Sequence, residues 1–121
     1  MERKETGSLG EKLARDHLKK KGYCIIETNY RCPRGEIDIV ARHKGCLVFI
    51  EVRTKSNTKY GLPEESISRA KRAKMRLTAA YYLNRLKKPP DAWRIDFVAV
   101  EMGNDGKASR IEVYESAVGE E

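Results

Sequence analysis

The chain has no apolar run long enough to span a membrane, so no segment reads as a transmembrane helix. Its start, Met1-Glu2-Arg3-Lys4-Glu5, is charged and lacks the apolar core of a secretory signal, which makes cytoplasm the default location. Cysteine is scarce and odd in number: Cys24, Cys32 and Cys46, with no Cys-x-x-Cys pair. That excludes a disulfide framework and suits reduced, structural thiols; a zinc site built from them with His17 or His43 lacks ligand spacing. Repeats and low-complexity tracts are missing too. Acidic residues are absent between Ser66 and Pro90, a segment that holds eight of the 25 basic residues: Arg69, Lys71, Arg72, Lys74, Arg76, Arg85, Lys87 and Lys88. The 17 basic residues elsewhere nearly balance the 18 acidic ones, so the net charge of +7 belongs to this one segment. A concentrated basic patch is the electrostatic footprint of nucleic-acid binding. Its plainer counterpart is a solvated helix face kept soluble by Lys and Arg. Membrane-surface binding would require a broad, bulky apolar face, which this helix lacks.

At 121 residues the chain makes one domain, 1–121, with a core of about 8–115 and an acidic tail at 116–121. A chain of this size buries roughly two thirds of its unfolded surface and needs no staple. The strongest local signal is Gly35-Glu36-Ile37-Asp38-Ile39-Val40-Ala41 followed by Phe49-Ile50-Glu51-Val52-Arg53-Thr54-Lys55. Both segments alternate like half-buried strands. His43-Lys44-Gly45-Cys46 between them suits a hairpin with Lys44-Gly45 at its tip. That loop sets the register: His43 faces Cys46, Asp38 faces Glu51, and Glu36 faces Arg53. Ile37, Ile39, Ala41, Val48, Ile50 and Val52 share the other face and form core, while Leu47 and Phe49 partly cover the carboxylate face.

Two opposed carboxylates repel and weaken a hairpin. A divalent cation between them removes the objection, since Mg²⁺ is held by one or two carboxylates with phosphate and water. The polar face is therefore a candidate metal site open to phosphate. Its plainer counterpart is a pair of exposed strand charges, each matched to Lys or Arg.

Around the hairpin the order is αβββαββ, which predicts an α/β or α+β sandwich on a mixed sheet. Ser8 reads as the cap of a first helix with Glu11 at the capping-box position, Leu13, Ala14, His17 and Leu18 as its stripe, and Gly22 as its end. The capping role is the first reading of Glu11; reaching inward toward the sheet is the second. Tyr23 to Tyr30 is a strand and Arg31–Gly35 a turn. A polar loop follows Lys55, with Tyr60 as a candidate base-stacking residue. The second helix runs from Leu62-Pro63 to about Leu86, with a stripe of Ile67, Ala70, Ala73, Leu77, Ala80 and Tyr81. Arg69, Arg72 and Arg76 flank it on one side, Lys71 and Lys74 on the other. Pro89-Pro90 ends it, Trp93 to Val100 is a strand, Asn104-Asp105-Gly106 a turn, and Arg110 to Tyr114 a last strand.

An acidic residue in helix one, Asp on a hairpin strand, Glu on its partner and a basic helix after it resemble the PD-(D/E)xK nuclease superfamily. More closely, Gly10-Glu11-x-x-Ala14, Gly35-Glu36-Ile37-Asp38, Phe49-Ile50-Glu51-Val52-Arg53-Thr54-Lys55, Gly61-x-Pro63 and Arg94-Ile95-Asp96 resemble the YraN-like family of bacterial proteins. That family is similar to archaeal Holliday-junction resolvases. The resemblance runs from about Gly7 to Val100 and implies a restriction-endonuclease-like three-layer sandwich, a mixed sheet flanked by helices. It implies Glu11, Asp38 and Glu51 as ligands of Mg²⁺ or Mn²⁺, and metal-dependent hydrolysis of DNA phosphodiesters, with branched DNA as substrate. The superfamily lysine falls at Arg53, a departure. Arginine holds its charge and binds phosphate but is a poor general base; Lys55, on the same strand face, could partly substitute. The basic helix, with Arg69, Lys71, Arg72, Lys74 and Arg76, would hold flanking phosphates. Junction cleavage would want two symmetric sites and hence a homodimer. A non-catalytic nucleic-acid-binding protein on the same fold is the alternative that Arg53 raises.

Overall fold

The first helix, α1 (Arg3–Lys20), begins upstream of Ser8, so Ser8 and Glu11 lie inside it and not at its cap. The computed structural model describes residues 3–56 and 61–116; Tyr60 and the tail from 117 lie outside the described residues. Gly22 ends α1 as its sequence position predicts. Its φ of 92° is left-handed, and the Gly22 and Tyr23 amides donate to Lys19 O at 3.1 Å and Leu18 O at 3.0 Å, closing the last carbonyls.

The strands are β1 (Cys24–Cys32), β2 (Gly35–His43), β3 (Cys46–Lys55), β4 (Trp93–Met102) and β5 (Ala108–Tyr114). They form one sheet in the order β1-β2-β3-β4-β5. Only β3 and β4 are parallel. A parallel pair needs a crossover, supplied by a 3₁₀ turn (Pro63–Ser66) and the second helix, α2 (Arg69–Asn84). Pro63 thus starts the short turn. Ser68 caps α2 itself, accepting the Lys71 amide at 3.0 Å.

One face of the sheet carries Ile39, Ala41, Val48, Ile50, Val52, Val98 and Val100, covered by Ala14 and Leu18 of α1. The other carries Tyr30, Ile37, Val40, Leu47, Phe49 and Ile95, covered by Met75, Ala79 and Tyr82 of α2. The result is the expected α/β three-layer arrangement, order αβββαββ. Two expectations are corrected. Ile37 packs with the α2 layer and not beside Ile39. The buried face of α2 is the opposite of the expected stripe: Leu77 is 58% and Tyr81 39% exposed, and Ala70 and Ala80 also face outward. Apolar residues recur on both sides of this helix, and the sheet takes the side of Met75, Ala79 and Tyr82.

α1 approaches β3 closely at Gly10. A Cβ there would fall 2.8 Å from Thr54 Cβ, so any side chain must push helix and strand apart. Gly10→Ala gains helix propensity of about 1 kcal/mol, but overpacking costs about 1–3 kcal/mol. Urea denaturation should show a net loss of stability. An unchanged midpoint would mean that this contact tolerates the methyl group.

Candidate active site

The β2–β3 ladder runs from His43 opposite Cys46 to Ile39 opposite Ile50, and then the strands part. Beyond that point β2 stays with β1, Ile37 opposite Tyr30 and Glu36 opposite Arg31, while β3 stays with β4, Glu51 beside Phe97. The Asp38–Glu51 rung expected from the turn is therefore not made, and Glu36 does not face Arg53. The two strands splay here, and the Asp38 carboxylate reaches into the space between them. Asp38 instead accepts the Val52 amide at 2.8 Å, a donor pointing into the gap. Glu36 pairs with Arg31 at 3.4 Å.

The gap holds charge that its surroundings only partly offset. Glu51 is 6% exposed, too buried for water to carry its charge. Lys71 Nζ of α2 stands 3.2 Å from its Oε2, and Arg53 Nε 3.6 Å from its Oε1. Both are ion-pair contacts, and Lys71 is the nearer cation. Burial first, and then the charge of Asp38, push the Glu51 carboxyl up to about 7, outweighing Lys71 and Arg53. Burial also pushes Asp38 up against the Val52 amide, with Glu36 adding to the rise. Glu11 is pushed up by burial and then by Asp38, so α1 carries the third carboxylate into the same field.

Among the described residues no three His, Cys, Asp or Glu side chains are grouped closely enough to form a ready three-ligand metal site. The donor chemistry nevertheless fits a hard divalent cation. A buried and a half-buried carboxylate, each with its pKa raised by burial, are what such an ion would satisfy.

The other sequence-derived residues fall into three places. Lys55 lies at the end of β3 beside Glu101 of β4. Four strand residues put it about 13 Å along the chain from Glu51. On α2, Lys71 and Lys74 lie on the flank toward the gap. Arg72 and Arg76 are half-buried and Arg69 exposed on the other flank. Lys71 is thus more than a surface cation: it touches the carboxylate site. Helical spacing could have placed it there only with the correct inner face of α2.

Arg94-Ile95-Asp96 builds a second buried polar cluster. Asp96 accepts from Tyr23 Oη at 2.8 Å, Arg94 Nε at 2.9 Å and the Ser116 amide at 2.9 Å. Arg94 also donates to His43, whose ring stacks on Tyr23 at 3.8 Å. These contacts tie β4 to the hairpin end and to the chain after β5.

Among the described residues no helix is long and apolar enough to cross a membrane. Residues 10–100 match the model of the family described as "Uncharacterised protein family UPF0102". A UPF0102 protein of Dehalococcoides mccartyi is 48% identical over 119 residues, covering 98% of this chain and 97% of the relative. One from Moorella thermoacetica is 44% identical over 117 residues, with 97% and 98% covered. One from Thermodesulfovibrio yellowstonii is 45% identical over 112 residues, with 93% and 96% covered. The match takes in both hairpin strands, the gap between them and the basic helix, and on it the chain belongs to the UPF0102 family of YraN-like bacterial proteins.

Proposed function

We propose that this protein is a metal-dependent nuclease acting on DNA phosphodiesters, with branched or otherwise structured DNA as its substrate. One observation carries the reading: the half-buried Asp38 and buried Glu51 carboxylates meet at a strand gap with raised pKa values, and Arg53 and Lys71 stand against Glu51. Asp38 and Glu51, with Glu11 beside them, would hold Mg²⁺ or Mn²⁺. Such an ion lowers the pKa of water and neutralises charge on phosphate. Arg53 remains a cation throughout and binds a non-bridging phosphate oxygen, stabilising charge as it builds. Lys71 holds the site together before substrate arrives and turns to phosphate when the Glu51 charge is taken up. Hydrolysis forms a P–O bond to water oxygen and breaks the P–O bond to the leaving sugar oxygen. The water proton goes to solvent and the leaving oxygen gains one. Basic residues on α2 hold flanking phosphates, a salt-sensitive and largely sequence-independent attachment. A symmetric cut across a junction calls for two copies of the chain.

The test is a labelled panel of four-way junction, flap, single strand and linear duplex with Mg²⁺, Mn²⁺ or EDTA. Cutting that EDTA abolishes is expected. Salt-sensitive binding with no cutting in any metal would overturn the nuclease reading. It would favour a non-catalytic nucleic-acid-binding protein, the reading that Arg53 at the lysine position supports. Arg53→Lys separates the two: it changes the rate by less than about tenfold in a working nuclease, and creates cleavage only where arginine had disabled the site.

Lys71→Met should slow cleavage about 10²-fold through the lost phosphate contact. In EDTA at pH 8 it should also lower the melting temperature, because Glu51 loses its nearest cation. Equal melting temperatures would show that the Lys71–Glu51 contact is not held in solution.

A further inference from the structure

A cavity of about 410 Å³ opens between the β1–β2 turn and α2, and the reading above leaves it without a use. Its floor is Met75, which is buried, and Cys32. Thr78 gives it a hydroxyl. That hydroxyl donates to Lys74 O at 2.8 Å and keeps its lone pairs for a further donor. Lys74 lines it with positive charge, beside Arg31 and Lys71, which are each paired with a carboxylate. The one carboxylate in the wall, Glu36, is already paired with Arg31. The cavity and the carboxylate gap share a wall: Lys71 lines the first and touches Glu51 in the second. Glu36 lines the first and its charge acts on Asp38.

Gly35 explains why the space exists. Its φ is 151°, and a Cβ there would stand 2.7 Å from Thr78 Oγ1 and 3.4 Å from Lys74 Cγ. Any side chain would fill the wall next to α2.

An apolar floor with a hydroxyl and a cationic rim matches one class of ligand, a flat heterocycle carrying a phosphate. The volume is too large for a phosphate alone and suits one nucleotide. We infer that this cavity receives a single unpaired nucleotide next to the phosphate held at the Asp38–Glu51 gap, so that the substrate is DNA with an unpaired segment. The inference rests on the nuclease reading and deepens it. A paired base stays inside the stack and enters only after flipping, at a cost of a few kcal/mol. A single strand, a flap or a gap presents the base without that cost. Contact with sulfur and aliphatic carbon reads no base edge, so the selection is for strand structure and not for sequence.

The test measures binding in EDTA, where nothing is cut, by fluorescence anisotropy at fixed salt on single-stranded, flapped, gapped and blunt-duplex DNA. Wild type should prefer the unpaired forms by at least about tenfold. A 2-aminopurine scanned along the unpaired strand should change its emission on binding at one position. Cys32→Leu fills the floor without adding a ring to stack on, and should bring the preference below about threefold. Lys74→Glu, an exposed change that spares the fold, should weaken single-strand binding more than duplex binding. Blunt duplex bound as tightly as single strand, or a preference that survives both variants, would overturn the inference. So would tight binding of free thymidine monophosphate that displaces the oligonucleotide, since the cavity would then serve a free nucleotide. Preference without cutting in Mg²⁺ or Mn²⁺ keeps this site and sinks the nuclease reading. Cutting without preference does the reverse, and no binding at all removes both.

Discussion

Glu51→Gln should abolish metal-dependent cleavage, with a loss on the order of 10³-fold, while leaving nucleic-acid binding in EDTA in place. It should at the same time make the protein more stable above pH 7. The folded-state pKa of Glu51 is raised from 4.5 to about 7, chiefly by burial and by Asp38. A raised pKa favours folding while the group is protonated. Its contribution is therefore full below about pH 4.5 and is lost as pH rises through 7. At pH 8 the wild-type protein carries a penalty on the order of 3 kcal/mol from this one group. The amide removes that penalty but leaves Lys71 and Arg53 without their carboxylate, so a net gain of about 1 kcal/mol is expected. Denaturation at pH 5 and pH 8 checks the sign: the variant should gain on wild type as pH rises. A variant less stable than wild type at pH 8 would show that Glu51 is held as a compensated ion pair.

Asp96→Ala should be the most damaging change outside the gap, costing about 3–5 kcal/mol. Asp96 is fully buried and gathers donors from Tyr23, Arg94 and the Ser116 amide. Truncation leaves the Arg94 guanidinium, itself mostly buried, facing His43 and Tyr23 with the half-exposed Glu115 carboxylate, 4.0 Å away, in place of its buried partner. Asp96→Asn keeps an acceptor and should cost less, about 1–3 kcal/mol. Urea denaturation of the two variants gives the comparison. Near-equal stability of Asp96→Ala and wild type would remove the cluster as the clasp of β4. The Arg94-Ile95-Asp96 motif is thus accounted for by the fold, since none of its bonds reaches Asp38 or Glu51.

The hairpin was legible because two signals agreed, the Lys44-Gly45 tip and the period-two alternation on either side. Register followed from the tip as far as Ile39 and Ile50. It broke at the next rung, where each strand keeps its outer partner and the Val52 amide turns to the Asp38 carboxylate. The end of α1 was legible from Gly22; its start was not, because Ser8 can sit inside a helix as well as cap it. The inner face of α2 was hidden, because Ala70, Ala73, Leu77 and Ala80 have the same helical period as Met75, Ala79 and Tyr82. Periodicity alone does not choose between the two faces. That inversion also concealed Lys71, whose reach to Glu51 depends on which side of α2 meets the sheet. The basic segment itself was plain from charge alone, and so was its place after the hairpin.

The most direct measurement is a calorimetric titration of Mn²⁺ into wild type, Asp38→Asn and Glu51→Gln at pH 8. The Asp38–Glu51 pair predicts saturable binding by wild type and loss of that binding in both variants. No saturable binding by wild type, or equal binding by all three proteins, would contradict it and leave the gap between β2 and β3 as a buried ion-pair cluster alone.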